Sequence, residues 1–289
     1  MSSINFNANA TAALQTLRDV SSKLNTTQNA VSSGLKVGSA KDNVAYWSIS
    51  TSMKSDNKAL GAATDALGVG AAKVDTAYAA MDSAIDVVNE IKAKLVTASE
   101  SSVDKDQVNL EVKKLQEQLS AIGQAASFNG ENWMVTATKT TVVDGFIRKD
   151  DGTVKINTAN FEAASYAMFS TIAGGVGSGG ILSAVMTIAL TSAATQGKID
   201  GFLTTVETAL KSLTKGAAAL GALSTRIDLQ QKFAGKISDA MDAGISRLVD
   251  ANMEEESARL SALQTQQQLA VQSLSIANSS SQSILSLFR

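Results

Sequence analysis

The chain closes on Leu260-SALQTQQQLAVQSLSIANSSSQSILSLF-Arg289, with no Asp, Glu, Lys or Arg between Arg259 and its last residue. A seam in steps of three and four runs through Leu260, Leu263, Gln267, Ala270, Leu274, Ala277, Ser281, Ile284 and Phe288. Seven of these nine are apolar, which predicts a helix. Its other faces are uncharged as well: Gln, Ser and Asn alternate with Leu269, Val271, Ile276 and Leu285. A lone surface helix carries a charged face, and a membrane span does not carry so much Gln, Ser and Asn. What remains is a helix surrounded by other protein. One chain of 289 residues can hardly surround its own last helix, so the expected neighbours are other copies.

The beginning of the chain has the same character. Residues 1–35 contain only three charges, Arg18, Asp19 and Lys23. Their seam reads Ala10, Leu14, Leu17, Ser21, Leu24, Gln28, Val31 and Leu35, the spacing of a coiled coil. Two nearly uncharged heptad segments at opposite ends invite pairing with each other.

Composition supports long helices and narrows the chemistry. There is no proline, where average usage would give about fourteen; proline breaks helix interiors. Aromatic residues are 4% of a chain that is 44% hydrophobic, so Ala, Leu, Val and Ile do the packing. Without cysteine there are no disulfides or thiol chemistry. Without histidine the commonest general base and metal ligand is missing. Net charge is −2 with no basic block, which argues against nucleic acid. The start has no basic region followed by an apolar core, and no run is long enough to span a bilayer. Neither a cleaved signal peptide nor membrane insertion is expected.

Inside the ends lie two longer seams. One reads Tyr46, Ile49, Met53, Asp56, Leu60, Ala63, Leu67, Gly70, Val74, Ala77, Met81, Ala84, Val88, Ile91, Leu95. Ser39, with Asp42 three residues later, is expected to cap its start. About fifty helical residues span roughly 75 Å, and such a rod must lie along other rods. The other reads Ile199, Phe202, Val206, Ala209, Leu213, Gly216, Leu220, Leu223, Ile227, Gln230, Ala234, Ile237, Met241, Gly244, Leu248. Its register slips around residues 252–256, as at a change of packing partners. A short third helix through Val108, Val112, Leu115, Leu119 and Ile122 ends near Asn129-Gly130, a helix stop and hairpin signal. From Trp133 the texture turns to Thr, Val and Gly. Strands are expected at 136–143, 145–148 and 153–156, with turns at Asp144-Gly145 and Asp151-Gly152. Residues 174–180 read as a flexible linker, and 181–190 as a further strand.

The expected fold is mainly α: a long antiparallel helical hairpin or coiled-coil rod built from both termini, with a small β-rich insertion. Residues 1–38 and 250–289 form a terminal coiled-coil domain. Residues 39–130 and 197–249 form a helical rod, and 131–196 a variable β-rich region. The residues expected to carry terminal assembly are Leu14, Leu17, Leu24, Val31, Leu35, Leu260, Leu263, Leu274, Ile284 and Phe288. Those expected to pack the rod are Leu60, Leu67, Val74, Met81, Val88, Leu95, Leu213, Leu220, Ile227 and Ile237.

Five segments in order carry a family resemblance. Ser32-Ser-Gly-Leu-Lys-Val-Gly-Ser-Ala40 with Lys41-Asp-Asn43 resembles the segment joining the two N-terminal domains of bacterial flagellins. Phe128-Asn-Gly130 resembles their helix-to-hairpin turn, and Leu220-Gly-Ala-Leu-Ser-Thr-Arg226 their C-terminal rod helix. Asn252-Met-Glu-Glu-Glu-Ser257 is similar to their acidic joint, and residues 264–289, closing on Leu285-Ser-Leu-Phe-Arg289, to their C-terminus. The resemblance implies an extracellular subunit that self-polymerises into the helical flagellar filament, its terminal segments forming an inner layer and its long helices a surrounding rod layer. It implies as partners other copies or related flagellins, the flagellar export apparatus, an export chaperone, the filament cap and hook-junction proteins. A hook–filament junction protein is the alternative within the family; a secreted membrane-active helical protein and an enzyme are alternatives outside it.

In many flagellins an Arg-containing stretch of the rod helix is read by the innate-immune flagellin receptor. The comparable Asn89-Glu-Ile-Lys-Ala-Lys-Leu-Val96 has lysines instead, and the two residues are not interchangeable at a bidentate contact. Weak receptor activation is therefore expected, and a reporter assay giving full response at ordinary doses would refute it.

Other motifs carry less. Gly175, Gly177 and Gly180 match G-x-G-x-x-G with Asp200 twenty residues on, but no βαβ pattern surrounds them. Asp250 with Glu254, Glu255 and Glu256 reads as a solvated face, because consecutive helical positions diverge. Asn9, Asn25 and Asn278 sit in glycosylation sequons within segments expected to be packed; serines and threonines of the β-rich region are the better acceptors. No cofactor or metal is expected.

Overall fold

The computed structural model describes residues 7–136, 138–149 and 153–286, with backbone alone for 280–286. In chain order the elements are α1 (Ala8–Ser33), α2 (Val44–Ala98), α3 (Lys105–Ala125), β1 (Ser127–Phe128), β2 (Glu131–Asn132), β3 (Thr140–Arg148), β4 (Val154–Phe161), α4 (Ala163–Tyr166), β5 (Thr171–Ala173), β6 (Val176–Ser178), α5 (Ser183–Met186), α6 (Gln196–Val249) and α7 (Met253–Ser286). The described strands pair as three antiparallel hairpins, β1–β2, β3–β4 and β5–β6. The chain is thus mainly helical with a strand-containing middle. It divides into two units: Met1–Asn57 with Asp239–Arg289, and Lys58–Ser238. The expected boundaries near 38 and 250 differ from this division. Both α2 and α6 run unbroken from one unit into the other.

The Lys58–Ser238 unit is organised by the antiparallel pairing of α2 and α6. Successive contacts descend one helix as they climb the other: Lys92 Nζ to Glu207 at 2.7 Å, Met81 against Gly216, Ser224 Oγ to Asp75 at 3.2 Å, Gln231 against Gly68. The α2 seam from Leu60 to Leu95 is buried at every position, including Leu67, Val74, Met81 and Val88. From α6, Leu213, Leu220 and Ile227 are buried with it, while Ile237, next to the unit's boundary at Ser238, is only half-buried. Burying each such side chain is worth about 1.5–3 kcal/mol. The two glycines that interrupt these seams within this unit have steric causes. A Cβ on Gly216 would stand 2.8 Å from Met81 Sδ, and one on Gly70 would stand 3.1 Å from Val142 Cγ1. The seams skip a side chain where another element closes in.

α3 lies on this pair, tied to α2 by Lys94 and Glu111 at 2.7 Å. Exposed pairs of this kind are worth about 0–1 kcal/mol, so the apolar stripe Val108, Val112, Leu115 and Leu119 carries the packing. Asp104 caps α3, accepting from Asp106 N and Gln107 N. Asn129 (φ 50) and Gly130 (φ 83) then turn β1 into β2, the left-handed conformation that an Asn-Gly turn supplies.

The middle region departs from expectation in three places. The Asp144-Gly145 turn is instead a bulge inside β3, between Val143 and Gly145. The bulge lets Asp144 pair with Arg226 of α6 and brings Gly145 against Gln230, whose Nε2 would lie 2.7 Å from an added Cβ. The segment 174–180 is no linker: Gly174 (φ 58) and Gly175 (φ 81) make the tight turn of β5–β6. Residues 181–190 form no strand but the short helix α5 and an irregular run, whose Val185 and Ile188 carbonyls accept from the buried Gln116 amide at 2.9 and 3.0 Å. The Asp151-Gly152 turn lies outside the described residues.

Candidate assembly site

Absence of charge marked the chain ends, and the structure pairs them. Asn7 caps α1, its side chain accepting from Ala10 N and donating to Ala277 O at 2.9 Å. At the far end of the pair, Ala251 N donates to Gly34 O at 2.8 Å. The two helices are therefore antiparallel. On α7 the expected seam faces inward: Leu263 and Ala270 are buried, and Leu260, Gln267, Leu274 and Ala277 are half-buried. Ile284 lies on the helix with only its backbone described, and Phe288 lies outside the described residues.

On α1 three of the eight expected seam positions are displaced. Leu17, Leu24 and Val31 are half-buried as placed, but the closed positions between them are Val20 and Thr27. Leu14, expected in the seam, is 36% exposed. The true seam steps 10, 13, 17, 20, 24, 27, 31; the expected one stepped to 14, 21 and 28. Both phases are uncharged, so the signal that normally separates inner from outer face was missing. In the region where α1 and α7 pair, only Val20, Thr27, Leu263 and Ala270 are buried among the described side chains. Around them stand Leu14, Leu269, Val271 and Ile276, the last 69% exposed. The three sequon asparagines, Asn9, Asn25 and Asn278, are exposed in the single chain too.

The pair ends in a joint made by both strands of chain. Gly34 (φ 72) closes α1 in the left-handed conformation, its N–H reaching Ala30 O. Leu35 bridges Asp250. Lys36 N and Val37 N both donate to Val249 O, and Lys36 Nζ donates to Arg247 O at 2.8 Å, a cation at a helix C-terminus where carbonyls lack partners. Val37 is buried with Ile245 and Val249, and Leu35, Met53 and Leu248 pack on them. After the joint, Glu254 N donates to Asn252 Oδ1, and Glu255 and Glu256 pair with Arg259. Acids in a first helical turn suit the macrodipole. No metal-holding cluster occurs among the described residues.

The α2 start differs from the expected Ser39–Asp42 cap. Asn43 Oδ1 accepts from Tyr46 N at 3.1 Å and caps the helix. Asp42 Oδ2 folds back onto the loop, accepting from Gly38 N at 3.0 Å, Ser39 N at 2.9 Å and Ser39 Oγ at 3.1 Å. The Ser39 backbone bond, with help from its hydroxyl and from Gly38, holds the Asp42 carboxyl below its usual pKa. A depressed carboxylate contributes stability above its unfolded pKa and loses it as pH falls through the folded value. Protection of the Gly38 and Ser39 amides, taken relative to the intrinsic exchange rate at each pH, is thus expected to fall as pH drops below the ordinary carboxylate range. In Asp42→Ala it should be low at neutral pH already; unchanged protection there would remove Asp42 from the joint.

These features match a known pattern. A family model described as the bacterial flagellin N-terminal helical region covers residues 4–138, and one described as the C-terminal helical region covers 203–288. Flagellin C of Rhizobium meliloti (strain 1021) is 45% identical, with all of both chains covered. The chain belongs to the bacterial flagellin family. The flagellin of Brucella melitensis biotype 1 is 44% identical and flagellin A of Rhizobium meliloti (strain 1021) 40%, again over the whole of both chains. The crystal structure of Bacillus cereus flagellin aligns at 14% identity with a TM-score of 0.44, covering 57% of this chain and 86% of that one, and adds nothing to the assignment. As a flagellin, the protein is a structural subunit that polymerises with itself into the extracellular flagellar filament. Neither family model reaches 139–202, the stretch that holds two of the three hairpins. The match to flagellin A runs over 395 positions against 289 residues here, so this flagellin is the shorter of the two. No described helix is long and apolar enough to cross a membrane.

Proposed function

We propose that α1 and α7 form the inner layer of the filament, through Leu14, Leu17, Leu24, Val31, Leu35, Leu260, Leu263, Leu274, Ile284 and Phe288, and that the long helices form the layer around it, packed through Leu60, Leu67, Val74, Met81, Val88, Leu95, Leu213, Leu220, Ile227 and Ile237. The observation that carries this reading is the unfinished state of the terminal pair. Ordering one backbone residue costs about 1–2 kcal/mol, whereas a coiled-coil seam buries roughly two side chains in seven at about 1.5–3 kcal/mol each. Leu14, Leu269, Val271 and Ile276 have apolar surface still to cover. Neighbouring copies that cover it tip the balance toward order.

In this reading the protein has no catalytic role and takes no cofactor. It leaves the cell through the flagellar export apparatus, escorted by an export chaperone, and meets the filament cap and hook-junction proteins. Residues 1–38 with 250–289, 39–130 with 197–249, and 131–196 serve as inner, rod and outer regions. The test is assembly from purified protein: heat to monomers, cool with filament seeds, and image by electron microscopy. Long filaments are expected. A concentrated, seeded solution that stays monomeric would overturn the reading.

A further inference from the structure

Filaments grow by contacts in which one surface of a copy meets a different surface of the next; a patch that meets itself closes a dimer and stops. The Lys58–Ser238 unit carries two unlike surfaces of this kind at one level. The first is a recess of about 290 Å³ between α2 and the β3–β4 hairpin, lined by Ala66, Val69, Gly70, Lys73, Val142 and Val143 among others. It exists because Gly70 lets Val142 approach, and Val69 on its rim is half exposed to solvent. The second is a ridge on α6. Leu229 and Phe233, one helical turn apart, are 63% and 55% exposed, while Ile227 and Ala234 beside them in sequence are buried.

The same hairpin fixes both. It meets α2 through Val142 on Gly70, and α6 through Asp144 on Arg226 and Gly145 on Gln230. The recess lies on its α2 flank, and the ridge sits on the helix that makes its other flank. Charged groups flank both surfaces: Asp228 is exposed beside Leu229, and Lys73 in the recess lining is paired with Glu131 at 2.7 Å. Lys232 and Lys236 stand exposed beside the ridge, and Asp65 stands exposed one turn before Val69. None of the three is among the ion pairs of the described residues.

We propose that the Leu229–Phe233 ridge of one copy seats in the Ala66–Val69–Val142 recess of a neighbouring copy, with Lys232 and Lys236 facing its Asp65. A second copy is the fitting occupant because apolar knob and apolar recess, and cation and anion, are both supplied by this one chain. The contact is heterologous, so it propagates. It rests on the self-polymerisation described above and names a surface for it.

The chain has no cysteine, so single thiols report contacts between copies without background. Isotope-labelled Val69→Cys and unlabelled Phe233→Cys are copolymerised on seeds and mildly oxidised. A disulfide needs Cα atoms within about 7 Å. The expected product is therefore a labelled peptide joined through its position-69 thiol to an unlabelled peptide through its position-233 thiol, found by mass spectrometry in the mixed filament and not in free monomer. Independently, Leu229→Ser with Phe233→Ser should raise the critical concentration for seeded growth about tenfold or more, with unchanged far-ultraviolet circular dichroism. The proposal is overturned by filaments that yield no mixed disulfide, by disulfides between two position-233 thiols alone, or by an unchanged critical concentration in the double variant. If the unsubstituted protein fails to extend seeds at all, the polymerisation reading falls first, and this contact with it.

Discussion

Deletion of residues 264–289 should abolish filament growth and leave the Lys58–Ser238 unit folded. The deletion removes Ala270, Leu274 and Ala277 from the terminal seam and leaves α7 only its first three turns. Asn7 loses its partner at Ala277 O, and α1 keeps a seam with little to face. A helix of 26 residues with a low intrinsic drive does not persist by itself once its tertiary partner is gone. Far-ultraviolet helicity should therefore fall by more than the deleted residues account for, because α1 melts too. The core from Leu67 to Ile227 contains none of the removed side chains, so its melting transition should stay within a few degrees. Pelleting and electron microscopy with seeds read the assembly. Filaments formed by the truncated chain would show that the terminal pair is not the inner layer proposed for it.

What could be read from sequence followed the strength of contrast between faces. In α2 and α6 the apolar stripe is bordered by Asp, Glu and Lys, and the stripe from Leu60 to Leu95 is buried as its spacing predicts. In α1 no such border exists, and a seam through Leu14 reads as well as the true one through Ala13. The register slip around residue 252 marked a true break, since α6 ends at Val249 and α7 begins at Met253. The middle region was least legible because its order is tertiary. The apolar run at 181–190 has strand composition, yet it is held as α5 and coil by carbonyl bonds to Gln116 on a distant helix. The glycines at 174–180 looked like slack. In the structure Gly174 and Gly175 are a turn, and Gly180, at φ 69 with a Cβ position 2.6 Å from Met168 O, admits no side chain. That also disposes of the dinucleotide pattern: its glycines are accounted for by a hairpin and by what packs on it.

The second large effect is expected at Phe169, where those glycines lead. Phe169 is wholly buried and among the largest side chains so enclosed. Its backbone N–H is held by Met134 O at 3.1 Å, and its ring lies between two glycines. A Cβ on Gly123 of α3 would stand 3.0 Å from Phe169 Cδ2, and one on Gly177 of β6 would stand 2.3 Å from Cδ1. The ring is thus the bolt between the third helix and the β5–β6 hairpin. Truncating a buried Phe to Ala costs about 3–5 kcal/mol. The upper part of that range is expected, because glycine walls have no side chains that could relax into the space. At roughly 2–4 °C per kcal/mol for a unit of this size, Phe169→Ala should melt on the order of 10 °C lower. Gly177→Ala should destabilise the intact protein by about 1–3 kcal/mol through overpacking, since the buried ring has nowhere to go. In the Phe169→Ala background the same methyl enters vacated space, so its effect should shrink to nothing or reverse. Such coupling between touching residues is what a double-mutant cycle isolates. Two costs that simply add would mean that ring and glycine do not meet, and that the hairpin is fastened to α3 by something else.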